Sequence, residues 1–115
     1  MADCLFCKMV AGEIPVTPIK RSPDAIAIRD INPQAPTHAL VIPTRHYAAV
    51  RDARDGEGER VLGTLLAFAA ALATELGLDA GGYRIVTNTG RDGGQSVDHL
   101  HLHLLGGRKM GWPPG

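Results

Sequence analysis

The chain predicts an α+β domain, an antiparallel sheet of about five strands with two helices packed on it. Three observations carry that expectation. A stretch from about 56 to 76 repeats apolar residues at helical spacing. Short apolar or alternating runs bounded by Pro, Gly and Asp lie on both sides of it. The elements read helix, strands, helix, strands, and not the strict strand–helix alternation of a parallel sheet.

Residues 4–11 read as a short helix, with Asp3 as its N-cap and Gly12 as its stop. Pro15 and Pro18 then hold the backbone extended. Strands are expected at about 18–21 and 25–30, split by the turn Ser22-Pro23-Asp24. Residues 31–36 form a loop, and His38 to Ile42 form a strand closed by Pro43. The long helix, about Gly56 to Leu76, sets Val61, Leu65, Phe68, Leu72 and Leu76 on one face. Ala67, Ala70 and Ala71 keep much of its remaining surface small and apolar. A helix that is apolar nearly all round is buried on more than one side, and in so small a domain a second copy is the natural cover. Tyr83 to Asn88 is a further strand, Thr89 to Ser96 a Gly-rich loop, and His99 to Leu105 the last strand. The tail Gly111-Trp112-Pro113-Pro114-Gly115 suits neither helix nor central strand.

Length and charge bound the function. At 115 residues the chain supports one domain with one modest core, and a hydrophobic content of 44% is that of an ordinary globular protein. Twelve basic residues balance twelve acidic ones, so no global field attracts nucleic acid or a membrane surface. No apolar run is long enough to span a bilayer. The first residues lack a basic stretch followed by an apolar one, so the cytoplasm is the expected compartment.

The chemistry concentrates in His99-x-His101-x-His103. Alternate residues of a strand share a face, so three imidazoles line one side while Leu100, Leu102 and Leu104 turn to the core. Three readings of that row are open. It is a solvated polar face, or a three-His zinc site with an open position for water. Or it is a site of imidazole catalysis, in which one ring attacks and its neighbours hold tautomer and charge. The preceding loop, Gly90 to Ser96, offers backbone N–H groups, the Gln95 amide and the Ser96 hydroxyl as a phosphate cradle. The only cysteines, Cys4 and Cys7, lie one helical turn apart, a spacing that suits a tetrahedral metal or, more simply, two small buried apolar residues.

The segment His99-Leu100-His101-Leu102-His103-Leu104-Leu105 resembles the signature of the histidine-triad (HIT) family. Asp30-Ile31-x-Pro33-Gln34-Ala35-Pro36-Thr37-His38, Asp92-Gly93-Gly94-Gln95-Ser96-Val97 and Trp112-Pro113-Pro114-Gly115 resemble its Hint branch, and the similarity runs from Cys4 to Gly115. The resemblance implies a HIT-like fold in a homodimer whose two sheets join into one. It implies hydrolysis of purine nucleoside 5′-phosphoramidates or related nucleoside monophosphate conjugates, with no cofactor in the chemistry. His101 matches the nucleophile, with His103 and His38 beside it. Asn88, Ser96 and the Gly94 backbone match groups near the phosphate and leaving group, and Gln95 joins them. Asp30 matches the carboxylate on the ribose hydroxyls, and Phe6, Met9, Ile28 and Ile31 the base pocket. Many HIT proteins carry a Cys₂His₂ zinc site, and the matching positions are Cys4, Cys7, His46 and His99. Such a zinc is expected to be structural and distant from catalysis, leaving His101 free to react. Within the family a dinucleoside polyphosphate hydrolase is the competing reading, from which Ser96 and the Trp112 tail lean away. A nucleotide-binding or scaffold protein with incidental turnover is the non-enzymatic one.

Overall fold

The computed structural model describes residues 3–115. Helix α1 spans Leu5–Val10, and strands β1 (Lys20–Arg21), β2 (Ala25–Arg29) and β3 (Thr37–Pro43) follow. A 3-10 turn at Val50–Asp52 leads into helix α2 (Gly56–Glu75), and β4 (Tyr83–Val86) and β5 (Leu102–Gly106) complete the sheet. Strand order is β1-β2-β3-β5-β4, with every neighbouring pair antiparallel. The α+β expectation, an antiparallel sheet of five strands with two helices, is therefore met.

The period-2 alternation of the strands sends their side chains to two different cores. On one face Ala25, Ala27, Ala39, Val41, Leu102 and Leu104 meet Val61, Leu65, Phe68, Ala69, Leu72 and Ala73 of α2. Small residues on β2 and β3 let the bulky helix approach closely. Full burial of side chains such as Leu65, Leu72 and Leu104 contributes roughly 1.5–3 kcal/mol each. On the other face Ile26, Ile28 and Ile42 pack with Phe6 of α1. This second, thinner layer is where the site lies.

Helix α2 begins where Asp55 caps it, its carboxylate accepting from the Gly58 N–H at 2.6 Å. Its end is marked by Gly77, at φ 75°. The expected N-cap of α1 is corrected: Cys4, not Asp3, holds that position, its sulfur accepting from the Cys7 N–H at 3.2 Å. A sulfur one bond from Cβ reaches the same donor that a Ser or Asp oxygen would reach.

The last strand is also shorter than expected. The β3–β5 ladder ends at the pair Val41 and Leu102, so His99 and His101 precede β5. The reason is that β3 terminates in Pro43, which has no N–H to offer a ladder. Loop groups take over: the Leu100 N–H donates to the Tyr47 carbonyl at 2.7 Å, and the Thr87 hydroxyl donates to the His101 carbonyl at 2.9 Å. The alternation persists even so, since Leu100 joins Leu102 and Leu104 in the α2-side core. Likewise β4 stops at Val86, short of the expected Asn88.

The apolar face of α2 divides. Val61, Leu65, Phe68 and Leu72 are buried, whereas Leu66, Ala67, Ala70 and Ala71 are exposed. Among the described residues no helix is long and apolar enough to cross a membrane.

Candidate active site

Beside the histidine row lies a cavity of about 280 Å³, walled by Phe6, Met9, Ile28 and Leu40. Asp30, Ile31, Ser96, His101 and His103 also line it. The structure thus brings together apolar groups for a ring, a carboxylate, a hydroxyl and two imidazoles. Phe6 and Ile28 are core residues and cavity wall at once. Ile31 stands at the rim, fully exposed. Leu5, Arg29, Leu40 and Val97 also line the cavity and were not anticipated. Leu40 was within reach of a sequence argument, because it lies two residues from His38 on the same strand face.

Hydrogen bonds to the backbone and between rings decide the tautomer of each ring. The His101 Nδ1 lies 2.7 Å from the His99 carbonyl, which can only accept. The proton is therefore on Nδ1, and Nε2 keeps its lone pair. His38 works in the opposite sense, its Nδ1 accepting from the Gln34 N–H at 3.0 Å. Its proton then sits on Nε2, 2.9 Å from the His103 Nδ1 and 3.4 Å from an Asp30 oxygen. His103 accepts through Nδ1, which leaves Nε2–H as a donor beside the cavity. Burial, and after it the neighbouring His101 and His38 charges, depress the His103 pKa, while Asp30 opposes them. His103 is accordingly neutral at physiological pH.

His99 takes no part in that row. Its Nε2–H donates to the Pro43 carbonyl at 3.0 Å, and its Nδ1 faces Cys4 and Cys7 at 3.2 and 3.5 Å. His46 presents Nδ1 to the same thiols at 3.6 and 3.3 Å, and the two imidazole nitrogens lie 3.1 Å apart. Metal–sulfur bonds of about 2.3 Å and metal–nitrogen bonds of about 2.0–2.1 Å imply tetrahedral edges near 3.5 Å for S···N and 3.3 Å for N···N. The four groups fit a tetrahedral cation. Without one, burial and the adjacent Cys4 thiol push the Cys7 thiol up to about 11. The reading of His99, His101 and His103 as one three-His metal site is thereby corrected. The metal-competent clusters among the described residues are Cys4–Cys7–His46–His99 and Asp30–His38–His103, and His101 belongs to neither. The cluster is not distant from the site either, since the His99 carbonyl is the acceptor for His101.

The Gly-rich loop differs from the expected cradle. Its Gly94 and Gln95 N–H groups donate to Arg91 and Gly90 carbonyls, and the Gly90 N–H donates to the Gln95 side chain. The Gln95 amide nitrogen donates to the Ala48 and Val97 carbonyls, and Asn88 donates to the Gly93 carbonyl at 2.6 Å. Asn88, Gly94 and Gln95 therefore shape the loop and do not line the cavity, whereas Ser96 does. Spacing alone carries no signal for this, because it does not show which carbonyls the Asn88, Gly94 and Gln95 donors reach.

Comparison with known proteins agrees with this geometry. The HIT domain family model matches residues 11–110. The chain is 47% identical over 112 residues to a 14 kDa zinc-binding protein of Zea mays, covering 96% of this chain and 87% of that one. It is 43% identical over 109 residues to a purine nucleoside phosphoramidase of Escherichia coli, covering 95% and 91%. Among solved structures, a HIT family hydrolase from Legionella pneumophila superposes with a TM-score of 0.93 at 50% identity, covering 98% and 100%. With its histidine row, its five-stranded sheet and these matches along nearly its whole length, the chain belongs to the HIT domain family of hydrolases.

Proposed function

We propose that the protein hydrolyses purine nucleoside 5′-phosphoramidates, or related nucleoside monophosphate conjugates, through a nucleotidyl-histidine intermediate on His101. The supporting observation is the 2.7 Å bond from His101 Nδ1 to the His99 carbonyl, which leaves Nε2 as a fixed lone pair beside the cavity. Nε2 attacks the α-phosphorus, and the phosphorus–nitrogen bond breaks as the amine departs with a proton. His103 Nε2–H and the Ser96 hydroxyl are the donors in place to stabilise the phosphoryl oxygens and relay that proton. Water then attacks phosphorus, releasing the nucleoside monophosphate and regenerating the imidazole.

The other residues follow their chemistry. Asp30 accepts from the ribose hydroxyls, which a carboxylate favours over a phosphate. Phe6, Met9, Ile28 and Ile31 hold the base. Asn88, Gly94 and Gln95 hold the loop that presents Ser96. Zinc is the cation proposed for Cys4, Cys7, His46 and His99, where it would be four-coordinate and closed to substrate. The exposed Leu66, Ala67, Ala70 and Ala71 face of α2 and the open sheet edge at β4 support a homodimer with its two sheets joined.

The test is to react the protein with adenosine 5′-phosphoramidate, quench early and locate the adduct by peptide mass spectrometry. An adenylyl group on His101, together with loss of turnover by about a thousandfold or more in His101→Ala, is the expected result. Wild-type turnover in that variant would end the proposal. Tight nucleotide binding without any turnover would favour the binding-protein reading.

A further inference from the structure

Phe6 sits between Cys4 and Cys7 in a helix of only six residues. Its buried ring meets His101 edge-on, 5.1 Å between centroids at 86°, and meets His99 at 5.8 Å and 75°. A helix of this length does not hold itself together in water. What fixes α1 is the packing of Phe6 and the convergence of its two thiols on His46 and His99. His99 is shared, because its ring belongs to the thiol cluster while its carbonyl accepts the His101 Nδ1 proton at 2.7 Å. Neither His99 nor His101 lies in the β-ladder, so side-chain and loop contacts alone hold this stretch of backbone.

We infer that the Cys4–Cys7–His46–His99 cluster positions His101, acting through the Phe6 ring and the His99 carbonyl, so that an intact cluster sets the rate of the chemical step. The inference rests on the reading of His101 as nucleophile. Phe6 and the four cluster residues are positioning residues in this role. Opening the cluster, by loss of its cation, frees α1 and withdraws the edge contact from His101. It also lets the His99 backbone move. Displacing a reacting atom by about 1 Å can cost roughly a hundredfold in rate. The wall residues Ile28 and Leu40 stay in place on β2 and β3, whereas Phe6 and Met9 move with α1, so KM rises as well, by less than kcat falls. The metal cluster is then a rate control on the site and not a remote clip.

The test uses the full chain with zinc content measured, in wild type, a Cys4→Ser/Cys7→Ser double variant and Phe6→Leu. The direct readout is the His101 Nδ1–H proton resonance, which reports the bond to the His99 carbonyl whether or not the protein turns over. In the double variant we expect loss of zinc, loss or a shift of that resonance, and a fall in kcat of about tenfold or more that exceeds any rise in KM. In Phe6→Leu we expect zinc to be retained while the resonance again shifts. An unchanged resonance and kcat in the zinc-free variant overturn the inference. Should the double variant fail to fold, Phe6→Leu decides, and an unchanged His101 resonance there overturns it equally. A wild type that leaves the phosphoramidate intact refutes the proposed reaction, whereas the resonance comparison still decides the positioning role.

Discussion

His38 Nε2 lies 2.9 Å from His103 Nδ1, and the Gln34 N–H bound to the far side of the His38 ring fixes which of the two donates. A backbone amide thus sets the protonation pattern of a pair of rings separated by 65 residues. The Asp30 carboxylate at 3.4 Å completes a short chain of Asp30, His38 and His103.

Removing the middle member leaves His103 free to rotate and to adopt the wrong tautomer. His38→Ala is expected to lower kcat by about 10- to 100-fold with a smaller change in KM. Steady-state kinetics check this, and an unaltered kcat would show that His103 is oriented without His38.

The protonation of His103 has a definite sign. Burial leads the depression of its pKa below the ordinary 6.5, with His101 and His38 next and Asp30 opposing. In the folded protein its proton is lost at lower pH than in the unfolded chain. Well above 6.5 both states are neutral and His103 costs the fold nothing. As pH falls from there to the depressed folded value, the unfolded chain takes up the proton first and stability declines. An NMR titration should place the His103 midpoint below 6.5, and lower still in Asp30→Asn. A midpoint at or above the ordinary value contradicts the sign.

Elemental analysis should find one zinc per chain, lost in Cys4→Ser. Because a cation bound only by the folded state stabilises it, chelation should lower Tm by several degrees or more. Undiminished zinc in the variant would remove Cys4 from the ligand set.

If α2 carries the second copy on its exposed Ala67 and Ala70 face, a carboxylate placed there is desolvated without a partner. Ala70→Glu should convert a dimer to a monomer in analytical ultracentrifugation. A wild-type protein that sediments as a monomer refutes the dimer directly.

Gly58 packs against the turn before α2. A Cβ built there would lie 2.5 Å from the Ala53 carbonyl carbon, which is backbone and cannot swing aside. Gly58→Ala should therefore destabilise the fold by roughly 1–3 kcal/mol in denaturant unfolding, against the usual helix preference for alanine. A stabilised variant would show that this turn gives way easily.

Much of this protein is written locally. The 3.6-residue repeat of Val61, Leu65, Phe68 and Leu72 and the alternation of Leu100, Leu102 and Leu104 with histidine report side-chain direction, which depends only on near neighbours. The histidine row and the Cys4–Cys7 pair needed nothing more than residue type and spacing, whereas the choice of His101 within the row and of Asp30 came from the resemblance to the HIT family. Three features depended on contacts between distant residues. Whether a loop donor faces a ligand or its own loop, as with Gln95, depends on which acceptors the fold brings within reach. The start of β5 depended on where its partner β3 runs out of N–H groups, at Pro43. The division of the histidines was likewise tertiary. His99 joins thiols 92 and 95 residues away while its carbonyl serves His101, because a ring's tautomer and partners are set by whatever donor or acceptor packing places against each nitrogen.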